Sequence, residues 1–123
     1  MKALVVDDSM VMRKVLARAL SKAGIEDVDQ ARDGREAVAA VQKADYGLVL
    51  MDWNMPVKAG IDALKDIRAL GKEMPIIMIT TEAERPRVIE ALKLGATSYF
   101  RKPFDPDDMA SRIQEVIANV SQS

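Results

Sequence analysis

One stretch decides the fold of this chain: Leu48-Val49-Leu50-Met51-Asp52-Trp53-Asn54-Met55-Pro56. Its four leading apolar residues have the length and composition of a β-strand buried on both faces, as in a parallel sheet covered by helices. The apolar run ends on the carboxylate of Asp52, and Pro56 cannot extend the pairing because it has no backbone N–H. We therefore expect Asp52 at the carboxyl end of a central strand, the edge where open parallel sheets bind ligands.

The composition limits the kinds of functional site and partner that the chain can have. The chain has 123 residues, which predicts one domain (1–123) without a separate output domain. It contains neither Cys nor His, so any site must use carboxylates, hydroxyls and amines, and an oxygen-only ligand set favours Mg²⁺. The net charge is -1 and no basic block stands out, which argues against direct binding of nucleic acid. The apolar runs are too short to span a membrane, and the absence of Cys fits a cytoplasmic protein.

The pattern of an apolar run followed by a helix recurs along the whole chain. Strand-like runs occupy residues 3–6, 28–31, 48–51, 75–79 and 99–100. A segment with helical spacing of apolar residues follows each of them; the fourth has Pro86 at its start and is expected to bury Val88, Ala91 and Leu92. Alternation of this kind predicts an α/β fold, a doubly wound five-stranded parallel sheet with five helices.

Polar residues follow four of these runs and should therefore meet at one edge of the sheet: Asp7, Asp8, Asp52, Thr80 and Lys102. Three crowded carboxylates repel one another unless a cation neutralises them, which predicts a Mg²⁺ site. The ammonium of Lys102 and the hydroxyl of Thr80 are groups that stabilise phosphoryl oxygens. A carboxylate can attack phosphorus as a nucleophile. Spacing alone does not choose which aspartate attacks.

Four sequence motifs resemble those of the response-regulator receiver domain: Asp7-Asp8-Ser9, Met51-Asp52-Trp53-Asn54-Met55-Pro56, Thr80 and Lys102-Pro103-Phe104. The resemblance spans the chain and is greatest to the single-domain chemotaxis members of that family. It implies a flavodoxin-like sheet with strand order 2-1-3-4-5 and a cis peptide bond between Lys102 and Pro103.

The resemblance also implies roles for the residues of the acidic edge. Asp52 would be the phosphoacceptor, receiving phosphate from the phosphohistidine of a histidine kinase or from a small phosphodonor. Asp8 would bind Mg²⁺ directly and Asp7 largely through water, with the Asp52 carboxylate and the backbone carbonyl of Asn54 completing the protein ligands. Lys102 would pair with Asp52 and then with the phosphoryl group.

A second group of residues would convert phosphorylation into a signal. Thr80 would move toward the phosphoryl group, and Tyr99 would turn inward into the vacated space. Asn54 and Glu82, each two residues past a motif residue, border the path of the attacking water and would set the lifetime of the phosphoaspartate. The family implies an output protein bound to the fourth helix, fifth strand and fifth helix, with the chain itself a monomer.

The chain departs from the family pattern at Val57, Lys58 and Ala59, where members commonly carry an acidic residue before the glycine. Its loss should leave the third helix without a side-chain cap. Lys58 should add a positive charge near the acidic edge, and this repulsion leaves the local loop geometry and the exact Mg²⁺ affinity undecided by the sequence. Trp53, beside the acceptor, is expected to be partly exposed, with a packing role as plausible as a functional one.

Two other functions compete with a phosphorylation switch. One is a phosphate sink or scaffold that has no output partner of its own. The other is a Mg²⁺-dependent phosphohydrolase acting through an aspartyl phosphate. Enzymes of that type need a general acid two residues past the nucleophile, and this chain has Asn54 there.

Overall fold

The computed structural model describes residues 1–81 and 85–121. Its five strands are β1 (Lys2–Val6), β2 (Asp27–Ala31), β3 (Leu48–Asp52), β4 (Ile76–Thr80) and β5 (Ser98–Arg101). Its five helices are α1 (Met10–Lys22), α2 (Gly34–Lys43), α3 (Gly60–Ala69), α4 (Arg85–Lys93) and α5 (Pro106–Ser121). All strand pairs are parallel in the order β2-β1-β3-β4-β5, so the predicted fold class and strand order are confirmed.

Two hydrophobic cores lie on opposite faces of the sheet, because successive side chains of a strand point to opposite sides. The α2-α3-α4 face receives from β1, β3 and β4 the side chains of Leu4, Val6, Val49, Met51, Ile76 and Met78. The α1-α5 face receives Ala3, Val5, Leu48, Leu50, Ile77 and Ile79. Strands β3 and β4 are buried along their whole length, as their continuous apolar runs predict.

Local signals set the ends of several helices. The Ser9 hydroxyl accepts a hydrogen bond from the backbone N–H of Met12 at the start of α1, and the Asp33 carboxylate caps α2 through Glu36. Residue 59, before α3, makes no side-chain capping bond, which confirms the expected loss.

The strand register brings the polar strand ends to one edge. Val6 pairs with Met51, so the residues that follow β1 lie beside the end of β3. Thr80 pairs with Arg101, and its carbonyl accepts a 2.8 Å hydrogen bond from the backbone N–H of Lys102. The Lys102–Pro103 peptide bond is cis, as predicted.

Two burial predictions are wrong. On α4, Leu92 is 45% exposed and Val88 is only half-buried, because that helix presents only a narrow face to the sheet. Trp53 is 5% exposed rather than partly exposed, because its ring packs into the core on the α2-α3-α4 face. Within residues 1–81 and 85–121, no helix combines the length and apolar character needed to cross a membrane.

Candidate functional site

Three aspartates converge at the carboxyl edge of the sheet. One carboxylate oxygen from each of Asp7, Asp8 and Asp52 lies within 4.8 Å of the others. Asp7 and Asp52 are buried, whereas Asp8 is exposed. Carboxylates this close disfavour one another's ionised form, and their oxygens are the donors that Mg²⁺ prefers. The trio therefore fits a hard divalent cation.

Lys102 joins the two buried carboxylates. Its Nζ lies 2.9 Å from Oδ2 of Asp7 and 3.3 Å from Oδ1 of Asp52. Burial acts to lower the pKa of Lys102, but the hydrogen bond to Asp7 and the charge of Asp52 outweigh burial, so its pKa lies above the ordinary value. Lys102 thus places a positive charge beside Asp52.

Asp52 is held in an environment that raises its proton affinity. Burial raises the pKa of the Asp52 carboxyl and repulsion from Asp7 raises it further, while Lys102 and the backbone N–H of Asn54 act in the opposite direction. A cation bound among the aspartates would oppose both raising effects and favour the carboxylate.

Asp7 is held through both its side chain and its backbone carbonyl. The N–H of Ser9 donates to its Oδ1 at 2.9 Å, and Nη1 of Arg13 donates to its carbonyl oxygen at 2.8 Å. Arg13 also donates through Nε to Oε1 of Gln30 at 2.9 Å and is itself buried. No motif singles out Arg13, although its helical spacing to the buried Leu16 places it on the inner side of α1.

Gly60 lies directly behind the acceptor. A Cβ at this position would overlap the carbonyl oxygen of Asp52, so the start of α3 can approach β3 only through a glycine. The Gly60 N–H donates to the carbonyl of Trp53 at 2.8 Å. The sequence patterns did not indicate this close approach. The one available signal was a glycine at the start of a helix.

The predicted switch residues lie beside the acidic edge. Thr80 is buried at the end of β4, next to β3. Tyr99, on β5, is 38% exposed, so its ring does not occupy the interior in this conformation. Asn54 is exposed in the loop after β3, and Glu82 lies outside the described residues.

The loop after Asp52 corrects one expectation. The ammonium of Lys58 forms an ion pair with Asp66 of α3, so its charge is compensated there rather than directed at the aspartates. The carbonyl of Lys58 accepts a 3.2 Å hydrogen bond from the N–H of Gly34, which joins this loop to α2. Val57 adopts a left-handed backbone conformation with φ +68°.

Trp53 extends the site toward α4. The guanidinium carbon of Arg87 lies 5.5 Å from the centroid of the indole ring, a cation–π geometry. No sequence pattern predicts this pair, because the two residues belong to different elements.

Residues 3–114 match the response regulator receiver domain family. The chain is 45% identical over 120 residues to the chemotaxis protein CheY1 of Helicobacter pylori strain J99, which covers 95% of this chain and 97% of the relative. It superposes on chemotaxis response regulator CheY4 of Vibrio cholerae with a TM-score of 0.85 and 39% identity, covering 94% and 97% of the two chains.

A further structural relative comes from a CheX–CheY–BeF₃–Mg²⁺ complex of Borrelia burgdorferi. It has a TM-score of 0.89 and 30% identity, with coverage of 94% of this chain and 88% of the other. Three observations lead to the same family: the sequence match, the strand order and the convergence of the motif residues. The chain belongs to the response-regulator receiver domain family and is similar to its chemotaxis members.

Proposed function

We propose that this chain is a phosphorylation switch in which Asp52 accepts a phosphoryl group from the phosphohistidine of a histidine kinase. An oxygen of the Asp52 carboxylate attacks phosphorus, and the phosphorus–nitrogen bond breaks with its electron pair leaving on the imidazole. The observation that carries the proposal is the placement of Asp52 beside Lys102 and within reach of two further carboxylates at the strand ends.

The neighbouring groups serve the transfer in distinct ways. Lys102, already 3.3 Å from Asp52, stabilises the negative charge of the incoming phosphoryl oxygens. The Thr80 hydroxyl donates a hydrogen bond to one of them. Asp7, Asp8, Asp52 and the backbone carbonyl of Asn54 would hold Mg²⁺, which when bound neutralises the carboxylates and the phosphoryl oxygens.

Phosphorylation then changes the surface formed by α4, β5 and α5. Tyr99, exposed in the conformation described, turns inward as Thr80 moves toward the phosphoryl group. An output protein binds this surface of the monomeric, cytoplasmic switch; the Borrelia relative, whose structure contains CheX, BeF₃ and Mg²⁺, supports partner binding by a receiver of this kind.

The switch resets by its own hydrolysis. Water attacks phosphorus, the phosphorus–oxygen bond to Asp52 breaks, and inorganic phosphate and a proton are released. By resemblance to the family, Asn54 and Glu82 set the lifetime of the phosphoaspartate. Equal rates of phosphate release from wild type, Asn54→Ala and Glu82→Ala would contradict this part of the proposal.

The decisive experiment is intact-mass analysis after incubation with Mg²⁺ and phosphoramidate, a small donor with a phosphorus–nitrogen bond. Wild type should gain one phosphoryl group, and chelation of Mg²⁺ should prevent the gain. Asp52→Asn should gain none, whereas Asp62→Asn, the same change at an exposed residue of α3, should behave as wild type. A wild type that stays unmodified, or an Asp52→Asn variant that is modified equally, would refute the assignment.

A further inference from the structure

Helix α4 is held to the rest of the molecule mainly at its two ends. Among its described side chains, residues 86–93, Ala91 is the only one that is fully buried. Beyond its carboxyl end, Nε and Nη2 of Arg68 donate to the carbonyl of Gly95 at 3.0 and 2.8 Å, and Nη1 donates to the carbonyl of Lys72 at 2.8 Å. Arg68 of α3 therefore anchors the carboxyl end, while little apolar burial fixes the helix between its ends.

Near its amino end, α4 contacts the loop that follows the acceptor. The Arg87 guanidinium stacks on Trp53, the residue that follows Asp52. The Trp53 backbone is fixed from both sides, because its N–H donates to the carbonyl of Ile79 at 2.8 Å and its carbonyl accepts from Gly60 at 2.8 Å. The backbone of Trp53 is thus held beside the acceptor, so we expect movement at this contact to come from Arg87 and α4.

We infer that the stack of Arg87 on Trp53 couples the charge at residue 52 to the position of α4. The inference rests on the proposed phosphorylation of Asp52, which adds about one negative charge at that residue. Arg87 is a further cation on this side of the site, because its guanidinium contacts the ring of Trp53, the residue that follows Asp52. The added charge draws the guanidinium off the indole toward residue 52.

Movement of Arg87 would alter the surface that α4 presents. Because Arg68 anchors the opposite end, the amino-terminal turns of α4 follow the guanidinium and the helix pivots about Gly95. Ile89 and Leu92, which are 43% and 45% exposed, move with them. Arg87 is a positioning residue that acts through Trp53, and this connection is separate from the exchange proposed for Thr80 and Tyr99.

The test uses beryllofluoride with Mg²⁺ as a noncovalent phosphoryl probe and follows the Nε–Hε resonance of Arg87 by NMR. Ring current from the indole should shift this proton upfield in the Mg²⁺ form, and the shift should disappear in Trp53→Leu. Adding beryllofluoride to wild type should move the resonance toward its position in Trp53→Leu. A purely structural stack would leave it unchanged.

The NMR response to beryllofluoride distinguishes failure of the coupling from failure of the phosphorylation proposal. If the backbone amides of Thr80 and Lys102 respond to beryllofluoride but the Arg87 resonance stays in place, the coupling is refuted and the phosphorylation site stands. If no resonance near Asp52 responds at any beryllofluoride concentration, the phosphorylation proposal fails and the coupling fails with it.

Affinity for the probe gives an independent measurement. Arg87→Met, which keeps a long side chain without the charge, should bind beryllofluoride about fivefold more weakly, at the low end of measured coupling energies. Arg35→Met makes the same change at an exposed position of α2 and should bind as wild type. Arg87→Lys keeps the charge and should recover part of the lost affinity. It also keeps the test informative if Arg87→Met folds poorly. Equal affinities of Arg87→Lys and wild type, together with an unmoved resonance, would overturn the inference.

Discussion

Replacing Val57 should stabilise the protein. Its φ of +68° lies in the left-handed region, where the Cβ of an L-residue crowds the following carbonyl at a cost of about 1–2 kcal/mol. The side chain is 75% exposed, so burial returns only about a quarter of the ~2 kcal/mol for a fully buried valine, or about 0.5 kcal/mol. The strain therefore exceeds what the side chain contributes through packing.

Asparagine tolerates this conformation and adds no backbone entropy to the unfolded chain. We expect Val57→Asn to raise the free energy of unfolding by about 1 kcal/mol, the difference between strain and burial. Val57→Gly should gain less, because glycine increases the entropy of the unfolded chain at a cost of about 0.4–1 kcal/mol.

Urea unfolding followed by circular dichroism measures the effect, with thermal unfolding as a second reading that should rise by about 4 °C. Val11→Asn provides the matched control, because Val11 is 70% exposed but lies within α1, where no left-handed strain exists to relieve. A Val57→Asn variant no more stable than wild type, at an unchanged denaturant slope, would refute the strain argument.

Three further predictions concern other parts of the molecule. Gly60→Ala should lower the free energy of unfolding by about 1–3 kcal/mol in urea, because the new Cβ must displace the carbonyl of Asp52; an unchanged midpoint would contradict this. The pKa of Tyr46 is raised to about 12 by burial and by its hydrogen bond to Asp29, so Asp29→Asn should lower the pKa of Tyr46, read from phenolate absorbance; an unchanged pKa would contradict this. Because that pKa is higher in the folded than in the unfolded chain, the associated stability is complete below pH 10 and is lost as the pH rises toward 12. Lys58→Met should change the Mg²⁺ affinity, read from tryptophan fluorescence, by less than about twofold, because Asp66 already compensates the Lys58 ammonium. A larger gain in affinity would show that the Lys58 ammonium repels Mg²⁺ after all.

The elements of this fold can be predicted from the sequence because their signals are local. The apolar runs in β3 and β4 specify strands buried on both faces, and the alternation with helical segments specifies a parallel sheet. The acidic edge follows from the same information: parallel strands end at one edge, so Asp7, Asp52 and Lys102 must approach one another whatever the details of packing.

The roles of individual polar side chains needed more than their spacing. Thr80 and Tyr99 were assigned as switch residues by resemblance to a family, since a hydroxyl at a strand end and an aromatic residue in a strand are common without such a role. The backbone conformation of Val57 gave no sequence signal, because valine normally avoids left-handed φ.

Only the tertiary structure decided which partners the long and bulky side chains take. Lys58 could reach the acidic edge or α3, and its ion pair with Asp66 shows which it takes. Trp53 is buried because its ring packs into the core on the α2-α3-α4 face, where Arg87 of α4 also contacts it. Such contacts depend on the relative placement of elements far apart in the chain, whereas the strand ends and the aspartates depend on periodicity and direction, which each short segment already contains.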